Sequence, residues 1–265
     1  MNIVVCVKHV PDATADRRFE ADGTVDRVGV DGLLSELDEY AVEQALQVKE
    51  RLAAGGDDSV VTVLTVGPEK ALDAVRKALQ MGADSGVHVL DEAIAGSDAL
   101  ATSLVLAEAL RKSDYDLVVC GLSSTDGAMG VVPAMLSERL GVPGVTLAGA
   151  VEEIDAARIR IRRDGDAASV LVEASLPAVL SVTDQTDEPR YPSFKGIMAA
   201  KKKPVETWSL ADLGIAPDRV GLSSSWSVVE RADARPPRTA GEIVTDEGGN
   251  GAKALVDFLA AKRFV

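Results

Sequence analysis

Aromatic residues are scarce: four Phe, three Tyr and two Trp in 265 residues. Any aromatic cluster outside a core is therefore informative. The two cysteines and two histidines are too scattered to show metal-ligand spacing. Cys6 and Cys120 each close an apolar run, the setting of buried, reduced thiols. No apolar run reaches the roughly 20 residues of a membrane helix. The apolar stretch at residues 2–8 is shorter than a signal-peptide core. These absences predict a cytoplasmic protein with no membrane span. Neither GxGxxG after the first strand nor GxxxxGK[ST] occurs, which disfavours the standard dinucleotide fingerprint and a P-loop. There is no GxSxG elbow, and His9 and His88 have no adjoining nucleophile. The chain lacks a bond-breaking apparatus and reads as one that binds and relays. Positive charge is also short, with 28 Lys and Arg against 42 Asp and Glu. A net charge of −14 argues against nucleic-acid binding.

What is present is a regular grammar. Short β-branched runs at residues 3–8, 60–67, 87–90, 116–121 and 176–182 read as buried strands. Helical periodicity fills residues 38–54, 68–81, 97–112 and 127–140, with Pro68 opening one helix and Gly82 closing it. Ser97 and Asp98 sit where the third helix is capped. Alternating strands and helices predict a doubly wound parallel sheet. An antiparallel excursion with alternating patterning follows at about residues 145–174, with a turn at Asp164-Gly165. After Val182 prolines punctuate an irregular arm that ends in a short helix, residues 252–262. The predicted organisation is an α/β domain over residues 1–183 and a partner-wrapping arm over 184–265.

In such a sheet ligands sit beyond the carboxyl ends of the strands, where strand order reverses. The loops at residues 8–13, 34–38, 66–68 and 121–132 are the candidates. The last, GLSSTDGAMG, combines small residues with a helix N-terminus, which suits a phosphate as well as it suits ordinary turn and cap chemistry. A second feature is EPRYPSFKGIMAAKKKP, residues 188–204. It sets Tyr191, Phe194, Ile197 and Met198 beside Lys195, Lys201, Lys202 and Lys203. Buried unpaired lysines are rare, so this reads as a surface loop offering a greasy anchor in a basic collar. The plainer alternative is a solvated lysine face.

Several blocks together carry a resemblance: VCVKHVPD, DEYAVEQAL, VLTVGPEKALDAVRKALQMGAD, LVVCG followed by STDG, LPAVLSV, the EPRYPSFKGIMAAKKK segment and RTAGE. In order and spacing they resemble the beta subunit of electron transfer flavoprotein, nitrogen-fixation-type homologues included. The resemblance implies an adenine-nucleotide-hydrolase-like sheet and a heterodimer with an alpha subunit that holds most of one FAD. It implies a structural AMP in this chain. It also implies electron uptake from acyl-CoA and other flavin dehydrogenases, and delivery to a membrane quinone oxidoreductase. Carried over, the AMP contacts fall on Cys6, Ser35, Val66, Gly121, and Thr125, Asp126, Gly127, Ala128, Met129, Gly130, Val131 and Val132. The family's aromatic neighbours of the flavin fall on Ala13 and Leu37, so apolar contact replaces stacking. Arg162 stands where relatives commonly carry Glu at the alpha interface. Residues 182–204 match the family's recognition loop, with Phe194 at its anchor. Three other readings are a bifurcating subunit with a second FAD in place of AMP, a free-standing nucleotide-binding module, and a weak binder of anionic membranes through Lys195 to Lys203.

Overall fold

Strand β1 (Asn2–Cys6) turns Ile3 and Val5 to one face and Val4 and Cys6 to the other, all buried. A strand apolar on both faces needs cover on both, and the rest of the fold supplies it. The computed structural model describes residues 1–15, 18–233, 236, 241, 243–246 and 248–265. After β1 comes a short antiparallel ribbon, β2 (His9–Pro11) with β3 (Gly32–Leu34). Helix α1 (Glu36–Ala53) then leads to β4 (Val60–Val66), and α2 (Leu72–Met81) to β5 (Ser85–Val89). Helix α3 (Ala99–Lys112) crosses back to β6 (Leu117–Gly121), and α4 (Val132–Leu140) leads to β7 (Gly144–Ala148). Strands β8 (Ala150–Ile154), β9 (Arg158–Asp164) and β10 (Ser169–Ser175) form a separate antiparallel sheet before β11 (Ala178–Val182) rejoins the first. Helix α5 (Phe194–Ala200) and β12 (Val205–Trp208) follow.

The main sheet has seven strands in the order β12-β5-β4-β1-β6-β11-β7, and every pairing is parallel. Helices α1 and α2 bury Val42, Leu46, Val75 and Leu79 on one face. Helices α3 and α4 bury Val105, Leu110 and Leu136 on the other. Each such side chain contributes about 1.5–3 kcal/mol when fully buried. Asp98 caps α3 by accepting from the Ala101 N–H at 2.9 Å. The doubly wound sheet expected from the alternation is therefore present. No helix among the described residues is long and apolar enough to cross a membrane.

Three departures from the sequence expectation have local causes. The first antiparallel segment is not one strand. It breaks at Gly149, beside Leu147 with φ +61°, so β7 pairs in parallel with β11 in the main sheet and only β8 joins the hairpin. Helix α4 begins at Val132, not Gly127, because Ala128 (φ +52°) and Gly130 (φ +65°) are left-handed and incompatible with a helix. The segment after Val182 is not wholly irregular, since α5 and β12 are regular and β12 extends the sheet edge on β5.

The chain divides into two compact units, Met1–Ala232 and Asp233–Val265. The second contains α6 (Gly251–Ala261), preceded by a turn in which Asp246 Oδ1 accepts from the Gly249 and Gly251 N–H groups. Most of the RTAGE block lies outside the described residues.

The reversal of strand order falls between β1 and β6, and Asp38 closes the sheet there. Its buried carboxyl accepts from the Lys8 N–H at 2.8 Å, just beyond β1, and lies against Gly121, the last residue of β6. Helix α1 is thereby tied by its first turn to both strand ends. The fit is close: a Cβ on Gly121 would lie 2.6 Å from the Leu37 carbonyl oxygen and 2.7 Å from Asp38 Oδ1. Burial pushes the Asp38 carboxyl up to about 7, the nearby Asp126 charge adds to this, and the hydrogen bond and charge of Lys8 oppose it.

Two predictions follow from this junction. Gly121→Ala should lose about 1–3 kcal/mol of stability in denaturant unfolding, because backbone must move to admit the methyl. For Asp38 the folded value lies above the unfolded one, so its proton is held longer in the folded state. The protein should lose stability through Asp38 as pH rises from about 4 to about 7. Asp38→Asn, neutral at every pH, should gain on wild type across that window. A difference in unfolding free energy that stays flat from pH 4 to 8 would contradict this.

Candidate nucleotide and docking sites

The carboxyl edge of the sheet gathers most of the residues expected to bind a ligand. Cys6 ends β1, Val66 ends β4 and Gly121 ends β6. Ser35 precedes α1, is fully buried, and accepts from the Thr125 N–H through Oγ at 3.4 Å. That bond brings the loop after β6 against the start of α1. Cys6 and Cys120 are both buried thiols, and the hydrogen bond between them, with burial, pushes Cys120 up. Ala13 is exposed in the turn after β2, and Leu37 is half-buried in the first turn of α1.

The loop itself is built around Asp126, whose side chain is 1% exposed. Lys8 Nζ donates to its Oδ1 at 2.9 Å, and Arg27 Nη2 donates to its Oδ2. Arg27 also donates to the His9 carbonyl at 3.4 Å, so it straps the excursion between β2 and β3 onto the loop. Burial would raise the Asp126 carboxyl, but the Lys8 charge and hydrogen bonds from Ser124, Arg27 and Lys8 hold it well below the usual range. Two cations thus meet one carboxylate, leaving the edge locally positive in an acidic protein.

Beyond Asp126 the left-handed Ala128 and Gly130 curve the backbone, with the Gly127 N–H held by Asp126 Oδ1 at 2.7 Å and the Ala128 N–H by the Ser124 carbonyl at 2.9 Å. Helix α4 begins at Val132 with no side-chain cap and with Pro133 in its first turn. Its first N–H groups have no intrahelical partner and suit an anion. Met129 is 62% exposed at the lip. Small residues, curved backbone, an uncapped helix start and flanking cations fit a phosphate monoester. The buried sheet end supplies apolar walls for a base. The pairing of Lys8 and Arg27 with Asp126 had no signature in the sequence, because the partners lie 118 and 99 positions apart.

The second site lies on α5 and the segment before it. Tyr191 is 87% and Phe194 80% exposed, and Ile197 and Met198 are partly exposed beside them. Lys195, Lys201 and Lys202 are exposed. Lys203 is not in that collar. Its ammonium turns inward and donates to the carbonyls of Leu79, at 3.0 Å, and Ala83, at the end of α2. In the hairpin, Arg162 is engaged within the chain, with Glu152 at 3.2 Å and Asp164 at 3.0 Å.

Residues 22–213 match the family model described as "Electron transfer flavoprotein domain". The chain is 47% identical to the electron transfer flavoprotein subunit beta of Mycobacterium tuberculosis (strain ATCC 25618 / H37Rv), over 100% of this chain and 99% of that protein. It is 33% identical to the protein of the same name from Clostridium acetobutylicum, over the whole of both. It is 34% identical to the Caffeyl-CoA reductase-Etf complex subunit CarD of Acetobacterium woodii, again over the whole of both. A domain match across most of the sequence, joined to end-to-end likeness of this kind, makes the chain a member of the electron transfer flavoprotein family, of the beta-subunit type.

Proposed function

We propose that this chain pairs with an alpha subunit and serves as the docking half of a soluble electron carrier. The observation that carries the reading is the outward-facing aromatic pair Tyr191 and Phe194 set beside the exposed Lys195, Lys201 and Lys202; Trp226 and Phe264 are also exposed, but it is the combination with this lysine collar that singles out the pair. An aromatic anchor buried in a partner pocket contributes about 1.5–3 kcal/mol, and such anchors dominate interface energetics. Lys195, Lys201 and Lys202 would steer an acidic partner rather than add much affinity. That combination favours fast, loose docking. The donors in this reading are acyl-CoA and other flavin dehydrogenases, and the acceptor is a membrane quinone oxidoreductase.

The edge between β1 and β6 would hold AMP. The backbone from Thr125 to Val132 and the start of α4 would receive its phosphate, with Cys6, Ser35, Val66 and Gly121 around the nucleoside. FAD, held mainly by the alpha subunit, supplies the redox chemistry when bound. This chain's residues position, exclude water and dock. Ala13 and Leu37 would meet the flavin side with apolar contact only. The alternative reading is a second FAD in place of AMP.

Two measurements test the reading. The purified heterodimer, once denatured, should release one AMP and one FAD; two FAD and no AMP would replace the carrier reading with the bifurcating one. Phe194→Asp should reduce electron uptake from a dehydrogenase at least about tenfold while leaving the heterodimer intact. Transfer rates equal to wild type in that variant would refute the docking assignment.

A further inference from the structure

Helix α5 has seven residues and none of them is buried. A helix this short is not stable alone, and of its residues Ala200 is the one that packs against the core. Something else must hold Phe194 where it stands. Three contacts do so. Ser193 caps the helix, accepting from the Gly196 N–H at 3.0 Å. Gly196 lies so near α2 that a Cβ would sit 2.5 Å from the Gln80 carbonyl. Lys203 ties the exit to the end of α2.

Arg190 ties the entrance to α1. Its Nε donates to Glu43 Oε2 at 2.7 Å and its Nη2 to Glu43 Oε1 at 2.9 Å. Its Nη1 and Nη2 donate to the two oxygens of Glu50 at 2.6 and 3.2 Å. Its backbone N–H donates to Glu43 Oε2 at 3.1 Å. Glu43 and Glu50 are two turns apart on one face of α1, and the Glu43 side chain is 5% exposed. The guanidinium is thus committed to α1 and not offered to a partner. Its neighbour Tyr191, by contrast, is 87% exposed.

We infer that Arg190 is a positioning residue that, by bridging Glu43 and Glu50, fixes the aromatic face of α5 for docking. It acts through placement of Phe194, not by contact. The inference rests on the docking role proposed above for that face. A lysine keeps the charge but cannot fork across two carboxylates, so Arg190→Lys separates geometry from electrostatics.

The test uses the heterodimer. In Arg190→Lys, amide hydrogen exchange over residues 194–200 should accelerate about tenfold or more, with flavin and nucleotide content unchanged. KM for the heterodimer with an octanoyl-CoA-reduced acyl-CoA dehydrogenase should rise about tenfold, with kcat within about twofold of wild type. In a Phe194→Ala background, Arg190→Lys should add nothing further to KM, because its effect passes through that ring. Glu50→Ala removes only the exposed arm of the bridge and should shift exchange and KM in the same direction by less; it stands in if Arg190→Lys does not assemble. Unchanged exchange over 194–200, or a KM effect that persists in full without the Phe194 ring, overturns the inference. Wild-type transfer by Phe194→Ala with accelerated exchange in Arg190→Lys would instead overturn the docking reading and leave the positioning role intact.

Discussion

One buried carboxyl, that of Asp38, accepts from the Lys8 N–H just beyond β1 and packs against Gly121 at the end of β6, and the rest of the structure is arranged around that meeting. A parallel sheet separates its strand ends by a fixed spacing, so a crevice opens wherever neighbouring connections leave in opposite directions. Here the crevice floor is pinned by α1, whose first turn reaches both lips. There is no slack in the arrangement, because Gly121 has backbone where a side chain would be. The direction of α1 is thereby set, and with it the position of Glu43 and Glu50 farther along the same rod. The sheet edge at Gly121 and the segment leading into α5 are both held by one helix.

Charge is distributed to match. The chain as a whole is strongly acidic, a balance that discourages promiscuous contact with other acidic surfaces. Positive charge appears where it has a task. Lys8 and Arg27 frame the sheet edge, Arg190 braces a segment internally, and three lysines surround exposed apolar groups. Lys203 shows why a run of like residues cannot be read as one feature. Burial lowers its pKa, and it serves as a cap for α2 while its neighbours face water.

The main sheet was legible because its strands are apolar on both faces and its helices start and stop with recognisable residues. The reversal of strand order between β1 and β6, where a ligand was expected, was legible for the same reason, since it follows from the topology. What escaped notice lacked a periodic signal. Strand β2 spans three residues and ends on a proline. Strand β12 is four residues at a sheet edge, half-exposed. Helix α5 contains a glycine, stands between two prolines and buries nothing, so no amphipathic pattern marks it. The ion pairs that shape both sites join residues 99 or more positions apart, Arg27 with Asp126 and Arg190 with Glu43. Such pairs become visible only when the chain is folded.

The docking segment also has a geometric consequence. It leaves β11 and returns to the sheet at β12, with four strands lying between them. At the usual interstrand spacing this is a bridge of roughly 24 Å. Its abutments belong to the sheet, so it can neither retract nor sag while the sheet is intact. Its outward side chains contribute nothing to the arch. The face can therefore be rewritten residue by residue, and whatever it meets can change through evolution without disturbing the body that carries it.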